Sequence, residues 1–100
     1  MKRVSQHRDK NEPAIVEALE AIGATWLSIT TRNGPDGCAG LRGVNVLLEI
    51  KNPEHYAKLR PGQKAWQDSW RGQVVTVETP EEAVAAVLRV VNSGEGPPTQ

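Results

Sequence analysis

Three residues that could carry chemistry lie close together in the chain, namely Asp36, Glu49 and Lys51. Residues 44–51 alternate as a β-strand does, so Glu49 and Lys51 point to one face while apolar side chains line the other. A tight turn at residues 42–43 would fold the preceding segment back as a hairpin and place Asp36 opposite Glu49.

Two carboxylates that face each other across a sheet repel, and this repulsion destabilises the strand pair. Directly opposed side chains have their Cβ atoms about 4.5 to 5.5 Å apart, which is close enough for two carboxylates to share one cation. Carboxylate oxygens are ligands that suit Mg²⁺, and Mn²⁺ can take its place. The opposed pair therefore predicts a divalent metal site.

Length and composition limit the classes of protein to which this chain could belong. The chain has 100 residues, a formal net charge of zero and a single cysteine, Cys38. This length predicts one folded domain, and one cysteine excludes an internal disulfide and a Cys-rich zinc site. Residues 1–10 lack the apolar segment of a signal peptide, and no run is long enough for a membrane helix. We therefore expect a cytoplasmic protein with no membrane partner.

Positive charge is concentrated in the first seven tenths of the chain. Of the twelve Lys and Arg residues, only Arg89 lies beyond residue 71. If a bound metal neutralised the acidic site, this part would present net positive charge to a phosphate backbone. A solvated surface of mixed charge is the alternative explanation.

The pattern predicts the order helix, strand, strand, strand, helix, strand, helix, which is an α/β fold with a mixed four-stranded sheet flanked by helices. Asn11 or Glu12 would cap the first helix, Pro13 suits its first turn and Gly23 ends it. The other elements are strands at 25–30, in the two arms of the hairpin and at 72–78, and helices at 61–70 and 79–91. Residues 1–10 are expected to form a flexible basic arm, residues 11–92 the domain, and residues 93–100 a disordered tail.

Two later segments carry expectations about burial. The apolar run Val74 to Val77 predicts a strand that is covered on both faces. Trp66 and Trp70 share a face of their helix, which favours a place in the core and leaves a subunit interface as the alternative. Cys38 is expected to be a small packing residue.

The residues singled out above resemble the pattern of the PD-(D/E)xK nuclease superfamily. That pattern has an Asp at the start of one strand, Glu-x-Lys on the next and often a Glu on the first helix, matched here by Asp36, Glu49 to Lys51, and Glu12. The spacing is most similar to archaeal-type Holliday junction resolvases, and GLRGVNVLLEIK also resembles the virus-type replication-repair (VRR-NUC) nuclease modules of phages. One departure is that the strand after Asp36 begins Gly37-Cys38-Ala39-Gly40, which is less apolar than is usual in the family.

The resemblance implies a restriction-endonuclease-like core and Mg²⁺-dependent hydrolysis of DNA phosphodiesters, without an organic cofactor. Asp36 and Glu49 would hold the metal, and Glu12 would complete the site directly or through water. Lys51 would orient the attacking water or stabilise the transition state, and Gln63 resembles a glutamine that some relatives carry on the following helix. If these residues had no catalytic role, Glu12 would interact favourably with the dipole of its helix, and Lys51 would form an ion pair with the carboxylates.

A four-way junction has two-fold symmetry and is cut on two opposed strands, which implies a homodimer with two active sites. The resemblance to phage modules implies that the protein could be encoded by a phage, in which case it would act in the cytoplasm of the host. Contacts with branched double-stranded DNA would rest on phosphates and shape. The basic candidates for these contacts are Arg32, Arg42, Lys58, Arg60 and Lys64.

Three alternatives stay open. A VRR-NUC-type nuclease would act on flaps or other repair intermediates rather than on junctions. A non-catalytic DNA-binding module would keep the fold without the chemistry. A metal-free domain would use Lys51 only to pair with Glu49 and Asp36.

Overall fold

The computed structural model describes residues 11–51 and 61–95, except for the side chains of residues 94 and 95. The predicted arm at 1–10, and the candidates Lys58 and Arg60, lie outside the described residues. The elements follow the predicted order. They are α1 Glu12–Ala21, β1 Thr25–Ser28, β2 Gly37–Leu41, β3 Val44–Ile50, α2 Pro61–Ser69, β4 Val75–Val77 and α3 Pro80–Glu95.

The four strands form one mixed sheet in the order β1-β2-β3-β4. The pairs β1–β2 and β2–β3 are antiparallel, whereas β4 runs parallel to β3. Parallel neighbours need a crossover connection, and α2 lies between β3 and β4 in the chain. The predicted α/β class with a mixed four-stranded sheet is therefore confirmed.

The hairpin between β2 and β3 turns where the sequence predicted. Leu41 pairs with Val44, and the two residues between them have positive φ, 54° at Arg42 and 79° at Gly43. This is the geometry of a type I′ turn, whose twist matches that of the flanking strands. The turn fixes the register of the hairpin, in which Gly37 pairs with Leu48.

One face of the sheet is covered by α1 and α3. On β3 the alternate residues Val46, Leu48 and Ile50 point into this layer and are buried. The helices contribute Ile15 and Leu19 from α1, and Ala83, Ala86, Val87 and Val91 from α3. Burial of one set of alternate residues specifies the register, since a slip of one residue would move the whole set out of the core.

Both core helices have well-formed ends. At the end of α1, Gly23 has a φ of 95° and donates to the Glu20 carbonyl at 3.0 Å, while Ala24 donates to Leu19 at 3.0 Å. This Schellman arrangement confirms Gly23 as the residue that ends the helix. At the start of α3, the Thr79 hydroxyl accepts from the Glu82 N–H at 3.0 Å, so Thr79 caps this helix.

Three expectations differ from the structure. β4 is not covered on both faces, because Thr76 is exposed on the face opposite to the buried Val77. The segment expected to be disordered from residue 93 is helical as far as Glu95, because no proline follows until residue 97. α2 contains no buried residue, so Trp66 and Trp70 do not belong to the core.

The glycine-rich start of β2 has a steric reason. The Trp26 indole packs against the core beside Gly37, and a Cβ built on Gly37 would lie 2.0 Å from Cζ2 of that ring. Only a residue without a side chain fits there while Trp26 keeps its position. Small residues on β2 therefore make room for the one tryptophan that contacts the core.

Replacing Gly37 with alanine should destabilise the fold by about 1 to 3 kcal/mol, because the indole must move out of its packed position. The matched control is Gly40→Ala, whose Cβ would meet nothing nearer than the Thr25 hydroxyl at 3.2 Å. That variant should change stability little, since alanine also restricts the unfolded chain. Urea denaturation measures both, and an unchanged midpoint for Gly37→Ala would contradict the packing.

Candidate functional site

The C-terminal ends of β3 and β4 meet the N-terminal end of α1, and Asn11 joins them. Its Nδ2 donates to the Lys51 carbonyl at 3.1 Å and to the Glu78 carbonyl at 2.6 Å. The Lys51 N–H donates to the Val77 carbonyl at 2.9 Å, so the hydrogen bonding between β3 and β4 continues one residue beyond the end of β3. The amide therefore holds the start of α1 against the ends of two neighbouring strands.

The sequence suggested Asn11 as a cap of α1, but its side chain does not cap the helix. It occupies the N-cap position, and its carbonyl accepts from the Ile15 N–H at 3.2 Å, but its side chain makes no capping bond. The amide is engaged instead with strands that are distant in sequence. Its Oδ1 is buried with no hydrogen-bond partner in the described structure.

Glu12 and Glu49 are the buried charged residues in the described part of the chain, with 8% and 5% of their surface exposed. Glu12 begins α1 and lies on the same stripe as the buried Ile15 and Leu19. Glu49 lies between the core residues Leu48 and Ile50 on β3, so it points to the opposite face of the sheet. Buried glutamates are rare because desolvation of a carboxylate is costly.

Asp36 stands where the β2–β3 ladder ends. The last pair is Gly37–Leu48, one step short of the expected pair of Asp36 with Glu49. Asp36 instead donates its N–H to Leu48 at 2.9 Å, and its Oδ2 accepts from the Ile50 N–H at 2.7 Å. It therefore bonds the residues on either side of Glu49, and the prediction of a directly opposed pair is wrong. The proline at residue 35 and this side-chain hydrogen bond together end the β2–β3 ladder.

The start of α2 reaches this end of the sheet. Gln63 donates from Nε2 to Glu49 Oε2 at 3.1 Å. A Cβ built on Gly62 would lie 2.4 Å from Asn33 Oδ1, so the loop before β2 also lies against the first turn of the helix. The sequence had suggested that Gln63 points back toward the sheet, and this contact confirms it.

Lys51 follows Glu49 by two residues and is half-buried at the end of β3. Strand alternation puts its side chain on the face of Glu49, and its backbone is fixed on both sides, by Val77 through the N–H and by Asn11 through the carbonyl. The Glu-x-Lys segment is therefore rigidly placed.

The described residues contain no group of three or more His, Cys, Asp or Glu side chains arranged to hold a metal ion. Glu12, Asp36 and Glu49 thus lie at one end of the fold without forming a ready-made three-carboxylate centre. Their donor chemistry still fits Mg²⁺, since all three offer carboxylate oxygens. Two of them already accept hydrogen bonds from the protein, from Ile50 and from Gln63.

The three basic candidates within the described ranges do not share one surface. Arg32 is exposed in the loop before β2, on the side of the acidic residues. Lys64 on α2 is exposed and pairs with Asp68 at 3.1 Å. Arg42 lies at the hairpin turn, about 20 Å of extended strand from Asp36, and donates to Asn92 Oδ1 at 3.4 Å.

Comparison with known proteins gives no relative on which to base a function. No family model matches the chain, and no curated protein or solved structure matches it significantly. Within the described ranges, no helix is both long enough and apolar enough to cross a membrane. The nuclease resemblance accordingly stays a prediction that rests on the residues of this chain.

Replacing Asn11 with alanine should destabilise the protein by about 1 to 3 kcal/mol, because two part-buried carbonyls lose their donor. Asn11→Asp should cost at least as much, since it turns an acceptor toward both carbonyls. Asn92→Ala is the matched control: it removes an exposed amide and should stay within about 0.5 kcal/mol of wild type. If Asn11→Ala and Asn92→Ala unfold at the same urea concentration, the joint at Asn11 does not contribute to stability.

Proposed function

We propose that this protein is a metal-dependent, structure-specific DNA endonuclease that resolves four-way junctions by paired symmetric nicks as a homodimer. The observation that carries the proposal is the burial of two carboxylates, Glu12 and Glu49, at one end of the sheet. At the same end, Asp36 accepts a hydrogen bond from the Ile50 N–H, and Lys51 follows the last residue of β3. Burial of these carboxylates costs the fold more in desolvation than Glu12 gains from the helix dipole, whereas a hydrolytic site requires such groups.

The order of elements and strands also supports the proposal. A helix bearing Glu12 is followed by an antiparallel three-stranded meander bearing Asp36 and Glu49, and then by a helix and a parallel strand. This arrangement is compatible with the restriction-endonuclease-like core that the PD-(D/E)xK resemblance implies.

In this proposal Asp36, Glu49 and Glu12 hold Mg²⁺, with Mn²⁺ as a substitute. The ion would stabilise charge developing on the phosphate and lower the pKa of a bound water. Lys51, anchored through its backbone, places a cation beside Glu49 to orient the water or the phosphate. Gln63 fixes one oxygen of Glu49 and so orients this carboxylate.

A junction-cutting role adds a second copy of the chain, because a four-way junction has two opposed strands to cut. Arg32 and Lys64 lie toward the carboxylate end and would contact phosphates there, together with Lys58 and Arg60 in the proposal. Arg42 lies at the far end of the hairpin and would meet DNA only at a distance from the cut. Flaps or other repair intermediates are the alternative substrates for the same chemistry.

A second candidate function is a non-catalytic DNA-binding module of the same shape. The observation in its favour is that the described ranges contain no group of three or more His, Cys, Asp or Glu side chains gathered as a metal site would be. In that case Glu49 would position α2 through its hydrogen bond to Gln63, and Asp36 would only end the β2–β3 ladder. The two candidates make opposite predictions about cleavage and about Mg²⁺.

Replacing Glu49 with glutamine or Asp36 with asparagine should lower the rate of junction cleavage by about 100-fold or more. Both variants keep an oxygen acceptor for the existing partners, so the fold should persist. Binding of the junction should be unchanged or tighter, since a negative charge is removed near phosphates. The control is Glu17→Gln, which neutralises an exposed glutamate on the same helix as Glu12. Gel assays on synthetic four-way junctions, flaps and linear duplexes give rate and preference, and cleavage by both site variants at the wild-type rate would refute the site.

Mg²⁺ at about 100 times its dissociation constant should stabilise the fold by about 2.7 kcal/mol, because only the folded chain gathers the carboxylates. For a domain of this size this corresponds to a rise of roughly 10 to 20 °C in the unfolding midpoint. Glu49→Gln should reduce the rise, whereas Glu17→Gln should retain it. NaCl at matched ionic strength separates specific binding from screening. Equal midpoints in Mg²⁺ and NaCl would favour the non-catalytic module.

A further inference from the structure

The second helix carries an aromatic surface that the carboxylate site does not use. The rings of Trp66 and Trp70 stack with their centroids 5.0 Å apart and their planes inclined by 19°. Trp70 is 41% exposed, and no residue of α2 is buried. Two stacked indoles on a helix of this kind do not serve to fill the core.

The Trp70 indole is held in place although it is exposed. Its Nε1 donates to the Gln73 carbonyl at 3.2 Å, and Trp66 stacks against it. Gly72 lies so close that a Cβ built there would be 2.9 Å from Nε1. An aromatic ring fixed in this way loses little conformational entropy when a ligand stacks on it.

This surface continues from the carboxylate site. Gln63, Trp66 and Trp70 follow one another at helical spacings of three and four residues, so they lie on one face of α2. Gln63 contacts Glu49 at the start of that face. With a rise of 1.5 Å per residue, Trp70 lies about 10 Å further along the helix, or roughly three stacked base steps.

The surroundings suit a nucleic acid better than an apolar protein surface. Two basic residues, Lys64 and Arg71, are exposed on α2 and just after it, and Lys64 is paired with Asp68 at 3.1 Å. Among the described residues the other exposed large hydrophobic side chain is Leu27, on β1, which is separated from β3 by a whole strand. Fixed aromatic rings beside cationic side chains are the combination that binds unpaired bases.

We propose that Trp66 and Trp70 form a stacking platform for an unpaired base of the DNA substrate. The inference rests on the proposed function and specifies its substrate: a branched DNA with single-stranded nucleotides about three base steps from the carboxylates, as a flap has; in a four-way junction, whose bases are all paired, a base at the branch point would have to unpair. The indole of Trp70 takes the outer position and stacks on the base, while Trp66 supports it from the inner side.

The test measures binding without cleavage, in EDTA, with fluorescein-labelled oligo(dT) and a blunt duplex of the same length. Trp70→Leu should weaken binding of oligo(dT) about tenfold and leave duplex binding within about twofold, because stacking on one base is lost. Trp70→Phe should retain most of the affinity, since a ring remains. Leu27→Ala is the matched control, because it removes exposed apolar surface without an aromatic ring and should change nothing.

A further variant tests the fixed position of the ring. Gly72→Ala should displace the indole from Gln73 and weaken binding of oligo(dT) by less than Trp70→Leu does. Circular dichroism and thermal unfolding check that each variant is folded, and sedimentation gives its oligomeric state. Quenching of tryptophan fluorescence by oligo(dT) should fall in Trp70→Leu.

Wild-type affinity for oligo(dT) in Trp70→Leu would overturn the platform. So would conversion of a dimer to monomers with undiminished binding per protomer, which would make the pair an interface between copies of this chain. These readouts are independent of the nuclease proposal. If the wild-type protein binds oligo(dT) through Trp70 and cuts no branched DNA in Mg²⁺, the proposed function fails and the platform stands.

Discussion

The amide of Asn11 brings together the parts of the protein on which the carboxylate site depends. By donating to the carbonyls of Lys51 and Glu78, it joins the first helix to the ends of two parallel strands that are far away in the sequence. Glu12 is the next residue, so the same joint brings its carboxylate to the end of β3. A part-buried amide with two partners fixes direction as well as distance, which apolar packing alone does not.

The strand β3 serves two purposes because its faces differ. Val46, Leu48 and Ile50 secure it to the helical layer, and Glu49 points away from that layer and remains almost fully buried. The strand therefore holds a desolvated carboxylate on a rigid element. Asp36 is fixed by the same strand, since its carboxylate accepts from the Ile50 N–H. Sites on strands are positioned more accurately than sites on loops.

The second helix contrasts with this rigid part. None of its residues is buried, although it carries both the Gln63 contact to Glu49 and the stacked tryptophans. An element with so little buried surface opens locally at low free-energy cost. Movement of α2 would change the hydrogen bonding of Glu49 and the position of Trp70 together.

Short-range signals in the sequence determined the helices, the strand order along the chain and the hairpin turn. The turn at Arg42-Gly43, the end of α1 at Gly23 and the cap at Thr79 each depend on a few neighbouring residues. The alternation of β3 also separated its core residues from Glu49. Such features are local, so they can be predicted from the sequence.

Only the tertiary structure decided what depends on contacts between distant segments. It replaced the expected pair of Asp36 and Glu49 by a ladder that ends one residue earlier, and it engaged the Asn11 amide with strand ends rather than with its own helix. It also left Trp66 and Trp70 outside the core, because the helical spacing that relates them says nothing about what covers their face. These outcomes follow from packing and hydrogen bonding across the fold, which no local pattern encodes.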